Sequence, residues 1–133
     1  MRLVKKIIKD KRGQALIELA LVLPLIILLV MGTMEFGRIL HSYLLITNAS
    51  REGARAGVTG ADDAAIILKT KDAAESLELT DAQINITPAQ SSRTRGIPLT
   101  VQVDYAVDLI TPVLDTVVPD PFPLSAATTM RIE

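Results

Sequence analysis

The sequence predicts an α+β protein with a long N-terminal helix, a second short helix and a small three-stranded antiparallel sheet. The first observation is an apolar run from Ala15 to Met34, interrupted only by one glutamate and one threonine. Two later stretches, residues 99–109 and 124–132, alternate between core-type and solvent-type side chains. Such alternation is typical of strands that bury one face, whereas a long unbroken apolar run is typical of a helix.

The apolar run is long enough to cross a membrane. Between Leu19 and Gly32 it contains no charged or strongly hydrogen-bonding side chain. At about 1.5 Å per residue, a helix of this length covers the roughly 30 Å hydrocarbon core of a bilayer. A core helix of a soluble domain would show a polar face. We therefore predict that residues 14–34 are the transmembrane half of the long helix and contact membrane lipid.

Charge is distributed unevenly around this run. Residues 1–12 carry six basic side chains against Asp10, a net charge of +5, so the other residues sum to −6 in a chain of net charge −1. Positive charge beside a span marks its cytoplasmic side. This predicts a cytoplasmic N-terminus and an extracytoplasmic C-terminal domain. No basic domain follows the cluster, so no nucleic-acid partner is indicated.

Two alternatives keep the apolar run but change its role. A secretory signal peptide also has a basic segment before an apolar one, but its apolar core spans roughly 7–15 residues and precedes an A-x-A-like site. The run here is longer and no such site follows it; removal would place the mature start beyond Gly32. The other alternative is a static single-span membrane protein that displays a small extracytoplasmic binding domain.

Helical periodicity continues beyond the membrane. Apolar residues recur at steps of three and four, and nothing interrupts the pattern before Gly60, a suitable C-terminal cap. We expect one helix from about Gln14 to Thr59, whose amphipathic stalk half covers residues 35–60. Pro24 has no amide proton and should kink or locally unwind the membrane half.

Small residues line one side of the stalk. Ala49, Gly53 and Gly57 are spaced by four, which lets another backbone approach closely. That backbone belongs either to a partner subunit or to the protein's own small domain, and we favour the latter. Charged residues stand between them, and their spacing suits a solvated ion pair. These charged residues are Arg51, Glu52 and Arg55.

Residues 61–133 are predicted to fold as a small extracytoplasmic α+β domain. Asp62 or Asp63 can cap a helix over residues 64–77. Strands are expected over residues 83–87, 99–109 and 124–132, with a polar hairpin loop between the first two. The predicted core face of the middle strand consists of Leu99, Val101, Val103, Tyr105, Val107 and Leu109.

The residue types needed for catalysis are sparse. The chain has no cysteine, and its single histidine, His41, lies on the stalk. No metal-ligand spacing and no Gly-rich phosphate loop is present in the sequence. We therefore predict no catalytic, cofactor-binding or metal site, and a protein that is not an enzyme.

Four blocks in order resemble a known family. They are Arg12-Gly-Gln-Ala-Leu-Ile-Glu18, Leu23-Pro24, Glu35-Phe36-Gly37-Arg38 and the eight residues from Asn48 to Arg55. Together they resemble the TadE-like family of the tight-adherence (Tad) pilus systems. The first block alone also resembles the processing site of type IV pilins and pseudopilins.

The resemblance implies cleavage by a prepilin peptidase between Gly13 and Gln14. It would remove the basic leader, residues 1–13, and leave Glu18 as the fifth residue of the mature chain. In pilins the equivalent glutamate is thought to pair with the new N-terminal amine, its own or a neighbour's, which sets the register of packed helices. The alternative is that Glu18 lies at interface depth and reaches water.

The resemblance also implies partners and a location. The partners are a prepilin peptidase, a sibling Tad pseudopilin, the major Flp-type pilin and inner-membrane platform proteins. The location is the bacterial inner membrane, with a single span, and the surface pilus itself if the chain enters it. Leu19 stands where major Tad pilins usually have an aromatic residue. Together with the large C-terminal domain, this favours a minor pilin or pseudopilin, pilin-like in fold, over the major subunit.

Overall fold

The structure is a computed structural model that describes residues 11–111 and 114–133, except for the side chains of Lys11, Arg12 and Asp115. Most of the predicted leader therefore lies outside the described residues. The chain divides into two compact units, Met1–Phe36 and Gly37–Glu133. Each is described by itself.

A single helix, α1 (Lys11–Val58), contains both the apolar run and the stalk, as predicted. The Gly13–Gln14 bond, at the expected start of the helix, lies within the described part of α1. The helix continues through Pro24, so the expected local unwinding is wrong, and a bend there stays a prediction. Within the apolar run, the Thr33 hydroxyl donates to the Val30 carbonyl (2.7 Å), which satisfies this polar group without a partner chain.

Helix α1 ends at a glycine cap, as the sequence predicts. Gly60 has φ +92°, the left-handed conformation that glycine adopts without steric cost. Its amide donates to the Gly57 carbonyl (3.1 Å), and the Ala61 amide donates to the Ala56 carbonyl (3.2 Å). These two bonds form a Schellman motif, which turns the chain sharply back toward α1.

The second helix, α2 (Asp63–Ala73), is shorter than predicted. Asp62 is its N-cap, and the carboxylate accepts the Ala65 amide at 2.8 Å. The final predicted turn is instead a 3₁₀ turn, Glu75–Leu77, because the Ala74 amide bonds to the carbonyl three residues back, on Lys71, and tightens the backbone.

Three strands form an antiparallel sheet in the order β1 (Ile84–Thr87), β2 (Pro98–Val107) and β3 (Phe122–Arg131). The predicted three-stranded antiparallel sheet is thus confirmed. Strand β2 ends two residues before the predicted Leu109, because the Leu109 amide donates to the Asp120 carboxylate (3.1 Å) and leaves the ladder.

The core of the second unit lies between the sheet and the two helices. The predicted face of β2 is confirmed at Leu99, Val101, Val103 and Val107, whereas Tyr105 is only half-buried. Two clusters of side chains fill the interior. One contains Ile46, Ala49, Ala74, Leu79, Val103 and Ala126, and the other contains Ala54, Ile66, Ile84, Leu99 and Val101.

Candidate functional site

The predicted processing segment lies at the start of α1. The Gln14 side-chain amide donates to the Glu18 carboxylate at 3.1 Å, and both side chains are exposed. Residues four apart on a helix lie on the same face, so a polar group at position 14 reaches Glu18 without any rearrangement. The side chain of Arg12 lies outside the described residues.

None of the described residues covers the apolar half of α1. Its most apolar 18-residue window has a mean hydropathy of 2.7, and none of that window is buried. Leucines such as Leu21 (75% exposed) and Leu25 (67%) would face water in a soluble protein. Length and composition allow this helix to cross a membrane once.

The small residues of the stalk pack against the protein's own domain. A Cβ on Gly53 would collide with the Thr70 hydroxyl and lie 3.2 Å from Val101 Cγ1. A Cβ on Gly57 would collide with Leu99, and Ala49 is fully buried in the core. The alternatives for this row were a partner subunit and the protein's own domain. In the structure the row packs closely against α2 and β2 of its own domain.

Two polar side chains are buried in this contact. Ser50, whose spacing from Ala54 makes a second row of small residues, is fully buried, and its hydroxyl shares a 2.7 Å hydrogen bond with that of Thr128 on β3. Thr70 on α2 is also fully buried and donates to the Ile66 carbonyl (2.8 Å). A threonine on an amphipathic helix is typical of a surface position, so only the packing identifies Thr70.

The opposite side of the same stretch is charged. Arg51 and Arg55 are exposed and Glu52 is half-buried. Across the described residues none of the three takes part in an ion pair, so the predicted pair among them is not formed. Beside them, a surface groove of about 490 Å³ lies between α1 and α2. It is lined by Glu52, Arg55, Ala56, Thr59, Ala61, Ala65 and Lys69.

The remaining positions of the family motifs differ in burial and in contacts. Glu35 is buried (3% exposed), whereas Phe36 is 66% exposed and Asn48 is exposed. A Cβ added at Gly37 would meet nothing within 4 Å, so close packing does not explain this glycine. The Arg38 guanidinium donates through both terminal nitrogens to the Asp108 carbonyl, each at 3.4 Å.

No metal-binding cluster forms within residues 11–111 and 114–133. In those ranges no three His, Asp or Glu side chains come close enough to hold a metal ion, and His41 is exposed on the stalk. One carboxylate is electrostatically distinct. Hydrogen bonds from Ser125 and Gln102, and a weaker one from Asn85, lower the pKa of Asp104 below its ordinary 3.8, against the opposing effect of burial.

Comparison with known protein families identifies the N-terminal part of the chain. Residues 13–55 match the family model described as TadE-like protein. These residues form a TadE-like domain. No curated protein and no solved structure matches the sequence. The family assignment thus rests on this one match, and it agrees with the resemblance drawn from the sequence.

The TadE-like domain begins at the glycine of the predicted processing site and ends at Arg55, before α2 and the sheet. It therefore contains the apolar half of α1, the charged residues Arg51, Glu52 and Arg55, and the first two residues of the glycine row (Ala49, Gly53 and Gly57). TadE-like proteins are generally non-enzymatic components of pilus systems. The match, together with one apolar N-terminal helix, is consistent with a component of a Tad pilus that spans the membrane once.

Proposed function

We propose that this protein is a TadE-like minor pilin or pseudopilin that assembles, primes or caps a Tad-type adhesion pilus. The observation that carries the proposal is the TadE-like domain itself, which starts at Gly13 and continues into an apolar helix that none of the described residues covers. A helix that must be surrounded by lipid or by other apolar helices suits a subunit that moves from a membrane into a filament.

Processing is proposed to occur after Gly13. Residues 1–13 would form the cytoplasmic leader, and a prepilin peptidase would release a chain beginning at Gln14. The TadE-like match, which begins at Gly13, supports this position. The positive charge of the leader supports the cytoplasmic orientation.

Glu18 is proposed to pair with a mature N-terminal amine. The hydrogen bond between Gln14 and Glu18 shows that these two positions share a face. A carboxylate near the bilayer centre costs about 2.5–3.5 kcal/mol on insertion scales. Pairing with an amine on the same or a neighbouring chain would offset that cost and align packed helices in one register.

The charged face of the stalk is proposed to contact partner subunits. Its glycine row is already occupied by the chain's own core, so assembly contacts fall to the side that carries Arg51, Arg55 and the groove beside Lys69. Two of these three cations belong to the TadE-like domain. The face suits acidic segments of a sibling pseudopilin, the major Flp-type pilin or an inner-membrane platform protein.

A static single-span membrane protein with a small binding domain outside the membrane is the competing function. It accounts for the apolar helix and the compact sheet domain equally well. It does not require the Gly13–Gln14 bond to be cut, and it gives Glu18 no task.

The deciding experiment is the N-terminal sequence and intact mass of the protein isolated from membranes of its host. We expect a start at Gln14. Gly13→Leu should abolish this start, whereas the matched variant Gly37→Leu, at a glycine with open surroundings, should be processed normally. A start at Met1 would favour the static anchor, and a start beyond Gly32 would mean a signal peptide.

A further inference from the structure

A small pocket in the second unit contains two arginines. It has a volume of about 220 Å³ and lies between the glycine cap of α1 and the segment that precedes β2. Gly60, Gln90, Arg93, Thr94 and Arg95 are among the residues that line it. Pockets for drug-sized ligands measure about 300–1,000 Å³, and a water molecule takes about 30 Å³ in the liquid. The volume therefore suits a single small polar group.

Arg93 is buried in the wall of this pocket with part of its hydrogen-bonding capacity unused. Its side chain is 9% exposed, and Nη2 is paired with the Asp63 carboxylate. Its Nε donates to the Pro88 carbonyl at 3.1 Å. Nη1 is buried and has no hydrogen-bond partner among the described residues. Because a guanidinium group only donates, and a buried donor without a partner costs free energy, Nη1 requires an acceptor.

The nearby end of α1 does not supply that acceptor. The Gly57 carbonyl accepts the Gly60 amide at 3.1 Å, and the Val58 carbonyl accepts the Glu133 amide at 3.3 Å. Neither carbonyl forms a hydrogen bond with Nη1 of Arg93. An acceptor for Nη1 therefore has to come from outside the described chain.

Two other lining side chains also offer donors. The Gln90 side-chain oxygen accepts the Asp63 amide at 3.4 Å, which leaves the Gln90 amide group as a donor. Arg95 is exposed and forms no hydrogen bond or ion pair with any described residue. None of the described residues that line the pocket is acidic. The lining thus suits a ligand that only accepts hydrogen bonds, which is an oxyanion.

The charge of the pocket selects the kind of oxyanion. The Asp63 carboxylate already neutralises Arg93, so Arg95 supplies the one uncompensated positive charge of the lining. A carboxylate carries a single negative charge, and its planar shape matches the forked donors of a guanidinium group. A phosphate group carries about −1.5 to −2 at pH 7 and would exceed the positive charge.

We propose that this pocket binds one carboxylate, the aspartate or glutamate side chain of a partner subunit, between Arg95 and Nη1 of Arg93. The exposed Arg95 makes the first contact. The carboxylate then displaces the exposed side chains at the mouth of the pocket and accepts from Nη1. The identity of the source as a partner subunit rests on the proposed function, whereas the carboxylate site itself does not.

The test follows arginine side-chain NMR signals of the full-length protein, labelled with ¹⁵N-arginine, in detergent micelles. Sodium acetate replaces sodium chloride at constant ionic strength, and sodium phosphate is titrated in the same way. We expect acetate to shift the Nε–Hε signals of Arg93 and Arg95 until they saturate. The signal of Arg55, on the charged face of the stalk, should show no saturating shift.

Variants separate the pocket from general charge effects. Arg93→Lys keeps a cation beside Asp63 but removes Nη1, so the acetate concentration that half-saturates the Arg95 signal should rise by about tenfold or more. Arg55→Lys makes the same substitution outside the pocket and should leave that concentration unchanged. Arg95→Gln removes a cation that no described residue pairs with, so it should weaken acetate binding at Arg93 without affecting folding. It therefore keeps the test decisive if Arg93→Lys unfolds.

Three results would overturn the carboxylate site: no saturating shift with acetate, an equal shift at Arg55, or saturation by phosphate alone. In the host, Arg93→Lys should reduce the number of surface pili while the mature chain still starts at Gln14. A normal pilus yield despite weakened acetate binding would overturn the partner subunit as the source and assign the site to a free carboxylate. A start at Met1 would instead overturn the proposed function, whatever the response to acetate.

Discussion

The two halves of helix α1 are both rich in apolar and small residues, yet they are used in opposite ways. In the first half, Leu21 and Leu29 are 75% and 63% exposed, and no residue of the most apolar window is buried. In the second half, Ile46, Ala49 and Ala54 are fully buried against the chain's own domain. One helix therefore combines two kinds of surface. The apolar surface of the first half suits lipid or other helices, and the second half packs in a protein core.

The two halves of α1 therefore place different requirements on their side chains. The apolar half needs only length and hydrophobicity, because lipid accepts any apolar surface and gives little reward for a specific fit. The stalk half needs shape, because α2 and β2 approach its backbone at Gly53 and Gly57. Substitutions should therefore affect assembly through the first half and folding through the second.

The largest effect is expected from Glu18→Ala in the apolar half. The variant should insert and be cleaved, yet fail to assemble, because no carboxylate remains to pair with the mature amine. The measurement is pilus yield in sheared cell-surface fractions, together with N-terminal sequencing of the membrane-bound protein. Glu75→Ala, at an exposed glutamate of the second unit, is the matched control and should assemble normally. Normal assembly of Glu18→Ala would refute the charge-pair mechanism and leave the TadE-like domain unaffected.

An intermediate effect is expected from Gly53→Ala in the stalk half. The added methyl group meets the buried Thr70 hydroxyl and Val101, so the free energy of unfolding should fall by about 1–3 kcal/mol, as in overpacked cores. Gly37→Ala adds the same group to the same helix where nothing lies within 4 Å. It should be neutral or should raise stability by up to about 1 kcal/mol through helix propensity.

The comparison of these two variants uses thermal unfolding of the full chain in detergent micelles, followed by circular dichroism. Equal stability of Gly53→Ala and Gly37→Ala would show that the stalk does not pack as closely as the structure indicates.

The smallest effect is expected from pH, and only in the second unit. Because folding lowers the pKa of Asp104, the ionised carboxylate stabilises the fold at pH values above the ordinary 3.8. That contribution should disappear as the pH falls below 3.8 and through the lowered pKa of the folded state. Asp104→Asn should flatten this part of the stability profile, and Ser125→Ala should weaken it by removing the largest cause of the shift. A profile unchanged by both variants would contradict the assignment.

The apolar run could be predicted from local pattern, because it depends on residue type and spacing. The Gly13–Gln14 cleavage and the pairing of Glu18 come from the family resemblance and stay predictions, although the TadE-like match covers both positions. The three strands were predicted because period-two alternation reports burial on one face. The extent of α2 was wrong by one turn, since the choice between α and 3₁₀ bonding at Ala74 depends on packing rather than on propensity.

The sequence by itself determined that the chain carries a membrane-length helix and a small sheet domain. Both follow from hydrophobicity and periodicity, which act between neighbours in the chain. Only the tertiary structure decided that the glycine row of the stalk faces the chain's own core, that Ser50 bonds to Thr128, and that Arg38 donates to the Asp108 carbonyl. The two hydrogen bonds join residues 78 and 70 positions apart, and no local pattern records which surfaces close packing will bring together.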